Sequence, residues 1–471
     1  MSRQKVIIIG SGFGGLVCGL LLSRAGKDIT IIERQKQPGG CLQSYRREGY
    51  AFDTGMHYVG GLAEGQPLHH LFADLGLLAL HWHKLDPEGF DRVTIGGDTF
   101  AFAEGYDRFA ETLAEQFPQQ RTALHEYADL LRTLPPMQEI GETAAYDYLA
   151  RSFKDELLIN VLAGTSLKTE LRRESLPLFH FAHGQSSYIQ GSWRLQGDGG
   201  LVVSTLISAI EANGGQVCCN AEVAELKEHN GVITAAICSN GESYEGDVFI
   251  SDVHPVLTFG WVKQSTVLKN LFRRRINMLN NTYGRFTASL LLKPHTLPYF
   301  NHNKYIFRQA NVWDEPNAGG RVDRVMVSAR VPEDGSSHVR QIDLLTPMLW
   351  TLCQPWENTK VGQRGEDYNA IKQRMAEECI ALAERQLPGL TGAIDKVFTS
   401  TPLTYRDYTL SPCGSAYGLR KDCRSLLITT LSPRTPIANL LLTGQNLILH
   451  GLEGVAMTAR MTVDEILNQK D

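Results

Sequence analysis

The stretch Lys5-Val6-Ile7-Ile8-Ile9-Gly10-Ser11-Gly12-Phe13-Gly14-Gly15-Leu16 decides the fold. Lys5 to Ile9 is a short β-branched run and reads as a buried strand. A glycine turn follows, and Leu16 to Ala25 continue as an apolar helix. Ile29 to Ile32 form a second buried strand, closed by Glu33. Each part has a physical task. Gly10 permits the tight turn, Gly12 lets backbone approach a pyrophosphate, and Gly15 lets helix and strand pack closely. Ser11, Phe13 and Gly14 complete the loop. The helix N-terminus offers unpaired N–H groups and a partial positive charge to the phosphates. A carboxylate at Glu33 accepts bonds from both ribose hydroxyls and repels a 2′-phosphate. The expected ligand is therefore FAD or NAD rather than NADP.

The rest of the chain narrows the class. It has 471 residues, with 46 Lys plus Arg against 51 Asp plus Glu, a formal net charge of −5. That balance excludes a simple nucleic-acid-binding protein, and 43% hydrophobic residues exclude disorder. The apolar run Val6 to Ile9 is too short for a signal-peptide core, and no run approaches a membrane span of about 18 residues. The 9 cysteines include no C-x-x-C pair. They read as buried thiols of a reducing compartment, so the expected location is cytoplasmic. His81-Trp82-His83 is the densest metal candidate, but i,i+2 histidines without nearby cysteines read as a surface strand or turn, and no metal is expected.

Two glycine-bearing loops follow Glu33 at once: Arg34-Gln35-Lys36-Gln37-Pro38-Gly39-Gly40-Cys41, and Gly49 to Tyr58 with Asp53-Thr54-Gly55-Met56-His57-Tyr58. They would carry backbone past the far half of a long cofactor. Near the other end, Asn439 to Leu442 is a buried run that ends in Thr443-Gly444-Gln445-Asn446. Leu452-Glu453-Gly454-Val455-Ala456 then opens a small-residue helix, whose N-terminus can face the same ligand.

These residues carry a resemblance. Gly10 to Gly15, Glu33, Pro38 to Cys41 and Phe52 to Gly61, with Thr401 to Leu410 and Asn439 to Ala459, resemble the flavin-dependent phytoene desaturase, carotenoid isomerase and retinol saturase superfamily. The tail is most similar to the retinol saturase branch. The resemblance implies an α/β fold. Its Rossmann-like FAD-binding domain, of the glutathione-reductase/amine-oxidase type, is assembled from discontinuous segments, with an interleaved α+β substrate domain. It implies FAD contacts for Glu33, Arg34, Gly39, Gly40, Cys41, Met56, Gly444, Gln445, Asn446, Gly454, Val455 and Ala456. Val223 would pair its backbone with the adenine edge. Cys41 stands where many relatives have Arg, and Gln445-Asn446 where relatives often have an acid.

The expected division is an FAD-binding domain over 1–61, 191–255 and 401–471, and a substrate domain over 62–190 and 256–400. Asn230-Gly231 and Asn240-Gly241 mark hairpins between short strands at 216–220, 222–228, 232–238 and 245–251. Gly197 to Gly200 precede an amphipathic helix. With no buried strand expected before them, they read as a domain crossing and helix cap rather than a second nucleotide loop. NAD(P)H or another external donor therefore has no separate module of the usual type. Val262 to Leu279 alternates apolar residues with Lys and Arg. It reads either as a helix packed on its own domain or as a peripheral membrane contact.

The activity implied is hydride transfer between flavin and a carbon–carbon bond of an apolar, conjugated substrate of the retinoid or carotenoid kind, as saturation or desaturation. Reducing a double bond also needs a proton, hence an acid. His57, His450, Tyr58 and Tyr405 are the candidates, each with a structural role as its alternative. A redox-neutral isomerase, an amine-oxidase-like enzyme and a non-enzymatic prenyl-lipid carrier remain open readings.

Overall fold

A computed structural model describes residues 3–317 and 320–468. The β-branched run forms strand β1 (Lys5–Ile9), followed by helix α1 (Phe13–Arg24) and strand β2 (Asp28–Ile32). These open a five-stranded parallel sheet in the order Gln216–Cys218, β2, β1, Val248–Ser251, Leu440–Leu442. Its strands come from three distant parts of the chain, so the Rossmann-like layer is discontinuous, as the fold class requires. Alternation along β1 sends Val6 and Ile8 to one face and Ile7 and Ile9 to the other. The first face packs against α1, helix Gly199–Ala212 and helix Gly451–Leu467. The second packs against an antiparallel three-stranded sheet, Val223–His229, Val232–Cys238 and Ser243–Glu245. Covered by the sheet and flanked by helices Gly199–Ala212 and Gly451–Leu467, α1 is apolar almost all round.

A seven-stranded mixed sheet forms the second half. Its order is Ile394–Ser400, Gly284–Leu292, Gln341–Met348, Arg324–Ala329, Asn303–Phe307, Asp91–Ile95, Asp98–Phe102. Val325, Val327 and Leu344 face one apolar cluster, closed by helix Gly365–Glu384. Met326 and Leu345 face another, built with the helices between 106 and 189.

Three local readings change. The expected strand 245–251 is two strands in different sheets, Ser243–Glu245 and Val248–Ser251. The break lies at Gly246-Asp247, where a Cβ on Gly246 would come within 2.7 Å of Ile7 and where Asp247 accepts the Lys5 N–H at 2.7 Å. A strand, Ser192–Leu195, does precede Gly197. It pairs antiparallel with Val59–Gly60 and Trp82–Lys84, so it is not part of a parallel β-α unit. The following helix takes Asp198 as its cap and donates the Gly199 N–H to the Asp53 carboxylate at 2.7 Å, which occupies that N-terminus with protein. Within 262–279 only Asn270–Asn277 is helical. Ser265 accepts the N–H groups of Val267 and Leu268 in a turn, and Arg273 donates back to the Phe259 and Val262 carbonyls. Leu271 on that short helix and Met278 just past it stay exposed.

Candidate active site

One long cavity of about 340 Å³ runs from the glycine loop of β1-α1 into the interface with the seven-stranded sheet. At the end nearest that loop it is lined by Gly10, Ser11, Gly12, Phe13, Gly14, Glu33, Arg34 and Val223. Glycine is required here for contact reasons. A Cβ on Gly14 would lie 3.0 Å from the backbone of Gly444, and one on Gly40 would lie 3.1 Å from Gly12. Gly15 and Gly444 stand behind the wall. Gly15 lies against the Gly10 carbonyl, which lets α1 approach β1, while Gly444, with φ +88°, supports Gly14. Glu33 is buried at the end of β2. One oxygen accepts the Ser11 N–H at 3.0 Å and its hydroxyl, and the other accepts the Gln35 N–H at 2.8 Å. Arg34 reaches Glu222 at 3.9 Å and the Asp407 carbonyl.

The middle of the cavity is lined by Gly39, Gly40, Cys41, Met56, Gln445, Asn446, Gly454 and Val455, with Ala456 buried one position behind. Asn446 is partly committed: its side-chain oxygen accepts the Leu419 N–H at 3.1 Å. Lys421 clamps this loop by donating to the carbonyls of Asn446, Leu447 and Thr429 at 2.8–2.9 Å. Burial pushes the Lys421 ammonium down to about 7.

The four acid candidates all line the cavity, in different states. His57 Nδ1 lies 3.6 Å from Asp343, and its Nε2 has no partner among the described residues. Burial opposes ionisation of Asp343, yet His57 and Arg330 hold its carboxyl below the usual range. Tyr405 donates to the Thr54 carbonyl at 2.8 Å, and burial pushes its hydroxyl up to about 12. His450 lies 2.6 Å through Nε2 from the Lys168 carbonyl, which can only accept. Its proton is thus on Nε2 and Nδ1 is bare. Burial holds the ring at about 4, so His450 is a neutral tether and a poor proton donor. Tyr58 lies 2.9 Å from Asp91 and 2.6 Å from the Tyr305 hydroxyl.

That last contact leads to residues the sequence reading missed. Asp91, fully buried at the start of its strand, also pairs with Lys168 at 2.8 Å and accepts the Asn303 amide at 2.9 Å. The Lys168 ammonium lies over the Tyr188 ring at 3.9 Å and lines the cavity; burial lowers its pKa, against the pull of Asp91. Glu453, in the first turn of the last helix, has one oxygen unpartnered among the described residues and the other 4.0 Å from His183, and burial pushes its carboxyl up to about 7. Asp252, just past strand Val248–Ser251, packs its carboxyl across Gly12, Gly14 and Gly444. Burial pushes it up to about 7, against a hydrogen bond from Gly15 and with help from the Glu33 charge. Only Asp252 left a signal in the sequence: a polar residue at the carboxyl end of a parallel strand, where such sheets bind ligands. Lys168 and Asp91 lie far apart in the chain and carry no motif.

Among the described residues no helix is long and apolar enough to cross a membrane. The model of an NAD(P)-binding Rossmann-like domain matches residues 8–75. The all-trans-retinol 13,14-reductase of Danio rerio is 23% identical, over 98% of this chain and 85% of its own. The neurosporene-forming phytoene desaturase of Cereibacter sphaeroides is 22% identical, over 94% and 90%. A structure of putrescine oxidase with bound putrescine superimposes with a TM-score of 0.67 at 16% identity, over 99% of this chain and 100% of that one, and shares the fold. The chain is thus similar over nearly its whole length to members of the phytoene desaturase, carotenoid isomerase and retinol saturase superfamily.

Proposed function

We propose that the protein is an FAD-dependent oxidoreductase acting on a carbon–carbon double bond of an extended, conjugated, largely apolar substrate. The observation that carries this reading is the single cavity joining the glycine cradle to a chamber of tyrosines, histidines and Lys168. The residues fit the cofactor: glycine loops that a Cβ would fill, a buried carboxylate at the ribose position, and a second helix N-terminus at Gly451. Gly10 to Gly15 and Gly444 would hold the pyrophosphate, Glu33 the ribose, Val223 the adenine edge, and Gly39 to Cys41 with Gln445 to Val455 the flavin end. When bound, FAD supplies hydride transfer to or from carbon.

The chain supplies the proton and the enclosure. Lys168 holds a proton at Nζ beside Asp91, and Tyr58 holds one on its hydroxyl against the same carboxylate. The buried pair can deliver a proton to the carbon opposite the hydride and recover it through Asp91. His450 fixes the backbone of Lys168, and Tyr405 ties the flavin-end loop to helix Pro402–Thr409. Reducing equivalents come from an external donor, NAD(P)H or another. The test is anaerobic incubation of reduced, flavin-loaded protein with conjugated polyenes, followed by mass analysis. Gain of two hydrogens supports saturation. Isomerised product at unchanged mass favours the redox-neutral reading, and a colourless protein that takes up no FAD refutes both.

A further inference from the structure

We propose that the substrate carries an anionic end group, a carboxylate on its conjugated chain, and that Arg285 receives it. The inference rests on the flavoenzyme reading above and narrows its substrate class. Arg285 rises from strand Gly284–Leu292 into the chamber. Its guanidinium is charged at every accessible pH. Nη2 donates to the Leu167 carbonyl and the Tyr417 hydroxyl, and the group lies 4.7 Å over the Tyr417 ring. All these partners are neutral. Among the described residues Nε has no partner and no carboxylate pairs with Arg285.

The two other Lys and Arg side chains that line the chamber are paired with acids, whereas Lys421, beyond the wall, donates to three carbonyls. Lys168 has Asp91 at 2.8 Å, and Arg34 has Glu222 at 3.9 Å. Just beyond the wall, Arg330 has Asp53 at 2.7 Å and Arg420 has Glu170 at 2.8 Å. The tyrosines nearest Arg285 provide no negative charge: burial raises the hydroxyl pKa of Tyr405, Tyr417 and Tyr188, so each keeps its proton. A hydrocarbon terminus would desolvate the guanidinium and leave it uncompensated, which is unfavourable. An alcohol would offer one neutral acceptor. A carboxylate offers two charged oxygens to a planar fork that lacks a partner on Nε.

The experiment compares ligands that differ only at the terminus. Retinoic acid, retinol and a hydrocarbon polyene of similar length are titrated into flavin-loaded protein, and binding is read by calorimetry and by perturbation of the flavin spectrum. The acid is expected to bind roughly tenfold to hundredfold more tightly than the alcohol, the range of a charged hydrogen-bonded pair. Arg285→Gln should erase the difference, and Arg285→Lys should retain part of it. Equal binding of acid and alcohol to the unaltered protein overturns the proposal and leaves the polyene reading standing. Loss of binding for all three ligands refutes the polyene reading itself. If Arg285→Gln shifts the flavin midpoint potential while the acid preference persists, Arg285 serves the flavin and the proposal falls.

Discussion

Replacing Asp252 by Asn tests how the glycine cradle manages charge. The carboxyl lies against Gly12, Gly14 and Gly444, where a pyrophosphate would pass, and its pKa rises from 3.8 to about 7. Between about pH 4 and pH 7 the folded chain holds a proton that the unfolded chain has released, so stability falls as pH rises through this window. Fully expressed, the rise corresponds to about 4 kcal/mol lost by pH 7. The amide variant, which has no proton to lose, should be more stable than the parent at pH 8 and lack this part of the slope. Lys421 contributes with opposite sign above about 7, so the informative quantity is the difference between the two proteins. FAD binding should show the same group. If only the neutral carboxyl admits the pyrophosphate, the competent fraction at pH 8 is about one tenth, and FAD binds about tenfold more weakly than at pH 6. Asp252→Asn should flatten that dependence. Thermal unfolding of the cofactor-free protein from pH 5.5 to 8.5 and FAD titration at pH 6 and 8 read the two effects. Parallel pH profiles for parent and variant in both measurements would refute the reasoning.

Three further outcomes follow from the geometry. Lys168→Met should lower turnover about hundredfold, the lower range for loss of a general acid, with flavin content unchanged. Turnover within twofold of the parent in rapid-mixing kinetics would remove Lys168 from proton delivery. Gly14→Ala places a Cβ 3.0 Å from the Gly444 backbone, and purified protein should lose bound flavin; a parent-like yellow spectrum would contradict the cradle. Asp53→Ala removes the 2.7 Å partner of the buried Arg330, leaving it only Asp343 at 3.9 Å, and frees the Gly199 N–H. It should cost about 3–5 kcal/mol, as breaking a buried pair does, and denaturant unfolding would expose an error if the midpoint stays put.

The first 61 residues show how much of the site was legible. Gly10 to Gly15 and Glu33 are close in sequence, and their spacing imposes both turn and contact, so local chemistry alone marks them. The glycines at 39–40 and 444–454 were legible as clusters because backbone crowding demands glycine wherever chains meet. Element boundaries were less readable. The expected strand 245–251 spans the end of Ser243–Glu245 and all of Val248–Ser251, and the close approach of Ile7 to Gly246 marks where they part. The helical pattern of 262–279 yields to the Ser265 turn, a local hydrogen bond that periodicity does not register.

By itself, the sequence determined a glycine turn between strand and helix, a carboxylate closing the next strand, and a second glycine-bearing strand-turn-helix near its far end. Strand, turn and cap preferences act over a few residues, so they are written where they act. The tertiary structure decided which ionisable groups meet. It brings Asp91 to Lys168 and Tyr58, turns His450 toward a carbonyl, buries Asp252 on the glycine loop, and leaves Arg285 without an acid. Protonation and pairing depend on burial and on distances of a few ångströms between residues remote in the chain, and those quantities exist only once the two sheets have closed around the cavity.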